Sequence, residues 1–308
     1  MSNKLLLLTQ SNEKYIELLT KLNLPELEIV DDTPEHIART NIWLADPPLA
    51  APLLGIGKNL KWLQATYAGV DKLVSVKQRS DYLLTNVRDI FGPMMSEYVF
   101  SYLISHLRHH NSYFNSQKEQ VWQSCADQQL RNKTMLILGT GSIGQHLAQT
   151  AKLFGMKVIG VSRSGDKKAN FDECTHIYQL DEQLPCADVV ISVLPSSPQT
   201  YNIFDSARFS KMKENVIFFN VGRGNAVDLC DLNTVLIERP NMLAVLDVFK
   251  TEPLPKQDEI WQRDNVVITP HVAAPSTPEQ VVGIFAENYR RWLKGVGLQY
   301  QVDFKLGY

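Results

Sequence analysis

The chain has 308 residues, 44% of them apolar and 21% charged, a composition that belongs to folded globular proteins and excludes a disordered tail or linker. At about twice a typical domain length, it predicts two domains. Lys+Arg 31 against Asp+Glu 33 leave a net charge of −2, which excludes the broad positive field that draws nucleic acid or anionic lipid, so neither is expected as a partner.

In chain order, short apolar runs at residues 4–8, 26–30, 42–45, 60–65 and 82–87 alternate with helical stretches, such as the one carrying Tyr15, Ile16, Leu19 and Leu22. That alternation predicts a parallel α/β sheet. Pro93 then precedes a long predicted helix over 94–117, with Val99, Phe100, Leu103, Ile104 and Leu107 at helical spacing. A second, clearer series follows, with predicted strands at 135–138, 157–161, 189–194, 216–220, 243–248 and 266–268. They are rich in Val and Ile and short enough to be buried on both faces. Thr277, Pro278 and Gln280 predict the start of a last helix, with a capping residue, a first-turn Pro and a capping-box Gln. Val281, Val282, Phe285, Tyr289 and Trp292 continue it at spacings of three and four.

No apolar run approaches the roughly 18 residues of a membrane span, and the run at 5–8 passes at once into Thr9, Gln10, Ser11 and Asn12. No secretion signal is read, and a cytoplasmic location is expected. Cys125, Cys174, Cys186 and Cys230 form no C-x-x-C pair, so neither a zinc knuckle nor a disulfide framework is expected. His106, His109 and His110 lie at spacings that bring two imidazoles to one helix face, but no third ligand is evident. They read as a contact surface rather than a metal site.

Gly139, Thr140, Gly141, Ser142, Ile143 and Gly144 spell G-x-G-x-x-G between a predicted strand and a predicted helix. The first glycine permits the tight turn, the second lets backbone approach a pyrophosphate, and the third lets helix and strand pack closely, so a dinucleotide is the expected ligand. About 20 residues further on, where NAD binders carry an acidic residue for the ribose 2′-OH, stand Ser162, Arg163 and Ser164. Arg163 offers a planar fork and the hydroxyls add donors for a 2′-phosphate, so NADP(H) is expected, with NAD(H) as the alternative. Three polar residues follow late strands, where open α/β sheets place their ligands: Arg223, Glu252 and His271.

On these residues the sequence resembles the D-2-hydroxyacid dehydrogenase family over essentially its whole length. The matching segments are Ala68-Gly69-Val70-Asp71, the glycine fingerprint, Leu194-Pro195, Asn220-Val221-Gly222-Arg223-Gly224, Leu246-Asp247-Val248-Phe249 with Glu252-Pro253-Leu254, and Thr269-Pro270-His271-Val272-Ala273. The tail Gln301-Val302-Asp303 and Gly307-Tyr308 is similar to the branch that reduces glyoxylate and hydroxypyruvate. The resemblance implies an α/β fold of two Rossmann-like domains, one flavodoxin-like and one dinucleotide-binding, with parallel sheets and an active-site cleft between them. The substrate domain would comprise residues 1–101 with 275–308, and the cofactor domain 102–274. A homodimer assembled through the long helix is also implied.

Residue by residue, the resemblance implies that Arg223 binds the carboxylate of a 2-oxo acid and polarises its carbonyl. His271 would be the proton donor, with Glu252 hydrogen-bonded to it. Backbone N–H groups of Ala68, Gly69 and Val70 would hold the other side of the carboxylate. Gly139, Gly141, Ser142, Ile143, Gly144, Ser162, Arg163, Ser164, Leu194, Pro195 and Val221 would bind the cofactor, and Asp247 would meet its carboxamide. The chemistry agrees: a hydride reaching a carbonyl carbon leaves negative charge on oxygen, which a protonated imidazole quenches. In the reductase branch a Trp stands two residues before the first proline of Pro47-Pro48, whereas this chain has Ala45 there and Trp43 two residues earlier on the same strand face. Trp43 is therefore expected to fill part of a roomier substrate pocket, and longer 2-oxo acids remain an alternative. A dinucleotide-sensing scaffold without activity is the alternative of another class. The complete set Arg223, Glu252 and His271 favours the enzyme, because a sensor needs only the cofactor site.

Overall fold

Five short apolar strands build the first sheet: β1 (Asn3–Leu8), β2 (Leu27–Val30), β3 (Ile42–Ala45), β4 (Trp62–Ala65) and β5 (Leu83–Thr85). They pair in parallel in the order β2-β1-β3-β4-β5. Every residue of β3 and β4 is buried, as expected of central parallel strands covered on both faces. These observations come from a computed structural model that describes residues 3–75, 78–126 and 128–307. Tyr308, the final residue of the tail resemblance, lies outside the described residues.

The second sheet has seven parallel strands: β6 (Thr134–Leu138), β7 (Lys157–Ser162), β8 (Glu173–His176), β9 (Val189–Ser192), β10 (Ile217–Asn220), β11 (Leu243–Leu246) and β12 (Val266–Ile268). Their order is β12-β11-β10-β9-β6-β7-β8, the doubly wound arrangement whose strand order reverses between β6 and β9. Six of the seven answer to the apolar runs of the sequence. The seventh, β8, reads Glu-Cys-Thr-His and lies at the sheet edge beside β7 alone, where no continuous apolar run is needed.

The helix expected over 94–117 is two helices, Gly92–Leu107 and His110–Lys118. His109 breaks them with a φ of 54°, a left-handed conformation that a right-handed helix cannot continue. The chain divides into two compact units, Met1–Ile90 with Pro275–Tyr308, and Phe91–Ala274. A boundary at 101 would cut through the Gly92–Leu107 helix. Its Met95, Val99, Phe100, Leu103 and Leu107 share one apolar cluster with Leu147, Ala148 and Ala151 of the helix Ser142–Leu153, so the whole of it belongs to the second unit.

The last helix, Pro278–Leu293, begins with the expected capping box: Thr277 Oγ1 accepts from the Gln280 N–H, and Gln280 Oε1 accepts from the Thr277 N–H. It returns to the first unit, where Phe285 stacks on Trp62 at 5.1 Å. No helix among the described residues is long and apolar enough to cross a membrane.

Candidate active site

The turn after β6 uses its three glycines for three different reasons. Gly139 has a φ of 107°, and a Cβ there would lie 2.8 Å from Val193 Cγ2. A Cβ on Gly144 would lie 2.0 Å from the carbonyl oxygen of Gly139, so that glycine lets the helix Ser142–Leu153 close onto the turn. A Cβ on Gly141 would meet nothing within 4 Å. Gly141 is also the N-cap of the helix and supplies no side-chain cap, which leaves the first N–H groups, at Ser142 and Ile143, for an anion. A bare backbone face at an uncapped helix N-terminus fits a dinucleotide pyrophosphate.

A second turn follows β7. Ser162 Oγ accepts from the Gly165 N–H at 3.1 Å and Ser164 Oγ from the Asp166 N–H at 3.3 Å, which ties the turn while leaving both hydroxyl protons to donate. Arg163 between them is exposed, and no carboxylate stands at 162–164. Leu194 and Gly222 close the ends of β9 and β10 on each other: a Cβ on Gly222 would lie 2.6 Å from the Leu194 backbone nitrogen. Val221, buried, donates its N–H to Ser192, and the Pro195 carbonyl accepts from Thr200 Oγ1.

Arg223 is half-buried just past β10, its Nη1 donating to the Gly222 carbonyl at 2.8 Å. The next residue, Gly224, explains why this loop meets the one after β11. A Cβ there would lie 1.9 Å from the Phe249 carbonyl carbon, so only glycine permits the two backbones to touch. The Phe249 loop then bends so that its own N–H donates to Glu252 Oε1 at 2.9 Å. The other carboxylate oxygen, Oε2, lies 2.9 Å from His271 Nδ1. Glu252 is thus gripped at one end and orients an imidazole with the other. With Nδ1 engaged by Glu252, any further partner of the imidazole must meet Nε2, on a side chain 51% exposed.

His271 has a φ of 57°, unusual for a residue with a side chain, and its position is set by Asp247. The Asp247 carbonyl accepts from the His271 N–H at 2.8 Å. The carboxylate, only 2% exposed, takes the Thr269 hydroxyl and the Val272 N–H on Oδ1 and the Ala273 N–H on Oδ2. Tyr98, whose phenol burial pushes well above its ordinary pKa, shares a 2.6 Å hydrogen bond with Thr269. Asp247 was expected at the cofactor carboxamide; in the structure the three hydrogen bonds of its carboxylate all run to the loop that carries His271. Tyr98 had no sequence signal, because it lies 171 positions from Thr269 and fits an ordinary amphipathic helix.

In the first unit, Ala68 and Gly69 are half-buried after β4, and Val70 is buried. Asn86 Nδ2 donates to the Ala68 carbonyl at 2.8 Å and fixes the turn. Trp43 does not line a pocket. It has 0% exposure, and a Cβ on Gly57 would lie 2.5 Å from its Cζ2, so the indole fills the core beside Ala45 and Leu63. Strand parity placed Trp43 and Ala45 on one face correctly, but that face is interior. Of the histidines at 106, 109 and 110, His109 places its Nε2 2.8 Å from the Ala126 carbonyl. No group of three or more metal-ligating side chains occurs among the described residues.

Residues 100–273 match the family described as D-isomer specific 2-hydroxyacid dehydrogenase, NAD binding domain. The chain is similar to a crystal structure of a D-isomer specific 2-hydroxyacid dehydrogenase family protein from Aeromonas salmonicida, with a TM-score of 0.93, 47% identity, and coverage of 99% of this chain and 100% of that one. It is also similar to an NADPH-dependent glyoxylate/hydroxypyruvate reductase from Sinorhizobium meliloti, solved with NADP and sulfate, with a TM-score of 0.88, 29% identity and 100% coverage of both chains. A glyoxylate/hydroxypyruvate reductase A from Escherichia fergusonii is 29% identical over 259 residues, 82% of this chain and 83% of that one. With the glycine cradle, the Glu252–His271 pair and a family match over more than half its length, the chain belongs to the D-isomer specific 2-hydroxyacid dehydrogenases and is an NAD(P)-dependent oxidoreductase.

Proposed function

We propose that this protein reduces glyoxylate and hydroxypyruvate to the corresponding 2-hydroxy acids with NADPH. One observation carries the reading: Glu252 holds His271 by Nδ1 while the Phe249 N–H holds Glu252, which presents Nε2 as a proton donor. When bound, the reduced nicotinamide supplies a hydride to the carbonyl carbon. Arg223 binds the substrate carboxylate through its guanidinium fork, which fixes orientation as well as charge. The backbone N–H groups of Ala68, Gly69 and Val70 are further carboxylate contacts in this reading. His271 delivers its proton from Nε2 to the carbonyl oxygen as negative charge develops there. Asp247 and Thr269 hold the His271 loop, and Ser162, Arg163 and Ser164 receive the 2′-phosphate. The similarity to reductases of this specificity at 28–29% identity supports the substrate class, and the NADP complex of the Sinorhizobium meliloti enzyme supports the cofactor.

A homodimer belongs to the same reading. The exposed Phe114 and Trp122 support it as a surface that a second copy covers, and light scattering would read the doubled mass.

The test is initial rates from the loss of reduced-nicotinamide absorbance, with glyoxylate and hydroxypyruvate as substrates and each cofactor in turn. Turnover with both acids is expected, with NADPH favoured over NADH by about tenfold or more, the worth of one charge-assisted contact. No turnover of any small 2-oxo acid would overturn the function, whereas a preference for NADH would overturn the Arg163 assignment alone.

A further inference from the structure

The loop that carries His271 has no regular structure of its own, since residues 269–277 form neither strand nor helix. From the end of β11 it is held by the Leu246 carbonyl, which accepts from the Thr269 N–H, and by Asp247. A further anchor comes from a different element. Tyr98 lies in the Gly92–Leu107 helix, whose Met95, Val99 and Leu103 are set in one apolar cluster with Leu147 and Ala151. Its ring meets that of Tyr102 edge-on, with centroids 4.9 Å apart, so the phenol is carried by a packed helix.

Proton count fixes the direction of each bond between this helix and the loop. The Thr269 hydroxyl has one proton and donates it to Asp247 Oδ1 at 2.6 Å. Its 2.6 Å contact with the Tyr98 hydroxyl therefore uses a Thr269 lone pair, and Tyr98 is the donor. Burial raises the pKa of the phenol and keeps that donor protonated. Hydrogen bonds in such a row polarise one another, so the phenol strengthens the Thr269–Asp247 bond while fixing the Thr269 side chain. Asp247 in turn accepts from the His271 N–H on its carbonyl at 2.8 Å.

We propose that Tyr98 is a positioning residue for proton delivery, acting on His271 through Thr269 and Asp247. The inference deepens the function proposed above and rests on its assignment of the proton donor to His271. Arg223, which binds the acid in that reading, lies outside this row of bonds. Loss of the phenol therefore slows turnover without weakening binding of the acid, because a displaced donor costs most in the transition state.

Tyr98→Phe keeps the ring and removes only the donor. It should lower kcat for hydroxypyruvate by about three- to tenfold, the worth of one hydrogen bond, while KM for the acid and for NADPH stays within about twofold. Thr269→Val breaks the same link from the other side and keeps the proposal testable should the Phe variant unfold. It should lower kcat at least as much, and adding Tyr98→Phe to it should lower kcat no further, since Tyr98 acts only through Thr269. Amide hydrogen exchange at residues 271–273, whose N–H groups Asp247 holds, needs no turnover and should quicken by about threefold or more in Tyr98→Phe. Unchanged kcat in the folded Phe variant, a loss carried by KM, additive losses in the double variant, or unchanged exchange would overturn the proposal. Wild-type protein that turns over no 2-oxo acid would instead overturn the function on which it rests, and the exchange rates would still decide whether Tyr98 holds the loop.

Discussion

Asp247 illustrates how little of a residue's work is carried by its identity. The sequence offers an acidic residue at a strand end, next to segments that resemble a cofactor site, and a ligand contact is the natural reading. In the structure the carboxylate organises residues 269–273 through the Thr269 hydroxyl and two backbone N–H groups. Replacing Asp247 by Asn turns one acceptor into a donor that faces a donor, and leaves a buried N–H or hydroxyl without a partner. Unfolding in urea should show a loss of about 1–3 kcal/mol, and kcat should fall as His271 loses its fixed position. If both quantities are unchanged, Asp247 does not hold the loop. Glu252 and His271, singled out as polar residues after late strands, do meet in a hydrogen bond, while Arg223 Nη1 donates to the Gly222 carbonyl. Tyr98 was not legible, since its partner is distant in sequence, and Trp43 was misjudged because period-two spacing assigns a face without saying whether that face is interior.

Among the elements, strand positions in both sheets followed from apolar runs, and the last helix followed from its capping box. What failed were features with no apolar signature: β8 at a sheet edge, and the break at His109, where the polar run after Leu107 gives no stripe to continue. The glycine turn allows a sharper test than recognition of its motif. Gly144 lies 2.0 Å from a backbone oxygen once a Cβ is added, while Gly141 borders open space. Gly144→Ala should therefore lower the thermal midpoint, at a cost of about 1–3 kcal/mol. Gly141→Ala should leave the midpoint unchanged and raise KM for NADPH about tenfold, because the methyl group intrudes only where a pyrophosphate approaches. Equal destabilisation by both substitutions would contradict the separate roles assigned to the two glycines.

For the whole molecule, length predicted two domains, and the chain does form two units, but the first is assembled from both ends of the sequence. The early boundary was misplaced because a helix packs where its apolar face finds a partner, and that partner is the helix after the glycine turn. The net charge of −2 is silent on local groups such as a guanidinium or an uncapped helix end, whose attraction for an anion is short-ranged. The central claim is that His271, oriented by Glu252, delivers the proton in reduction of a small 2-oxo acid. The most direct measurement compares kcat for hydroxypyruvate reduction by the wild-type protein and by His271→Ala under saturating NADPH. A fall of about 10²- to 10⁴-fold is expected, with the thermal midpoint unchanged. Full kcat in the His271→Ala protein would contradict the claim.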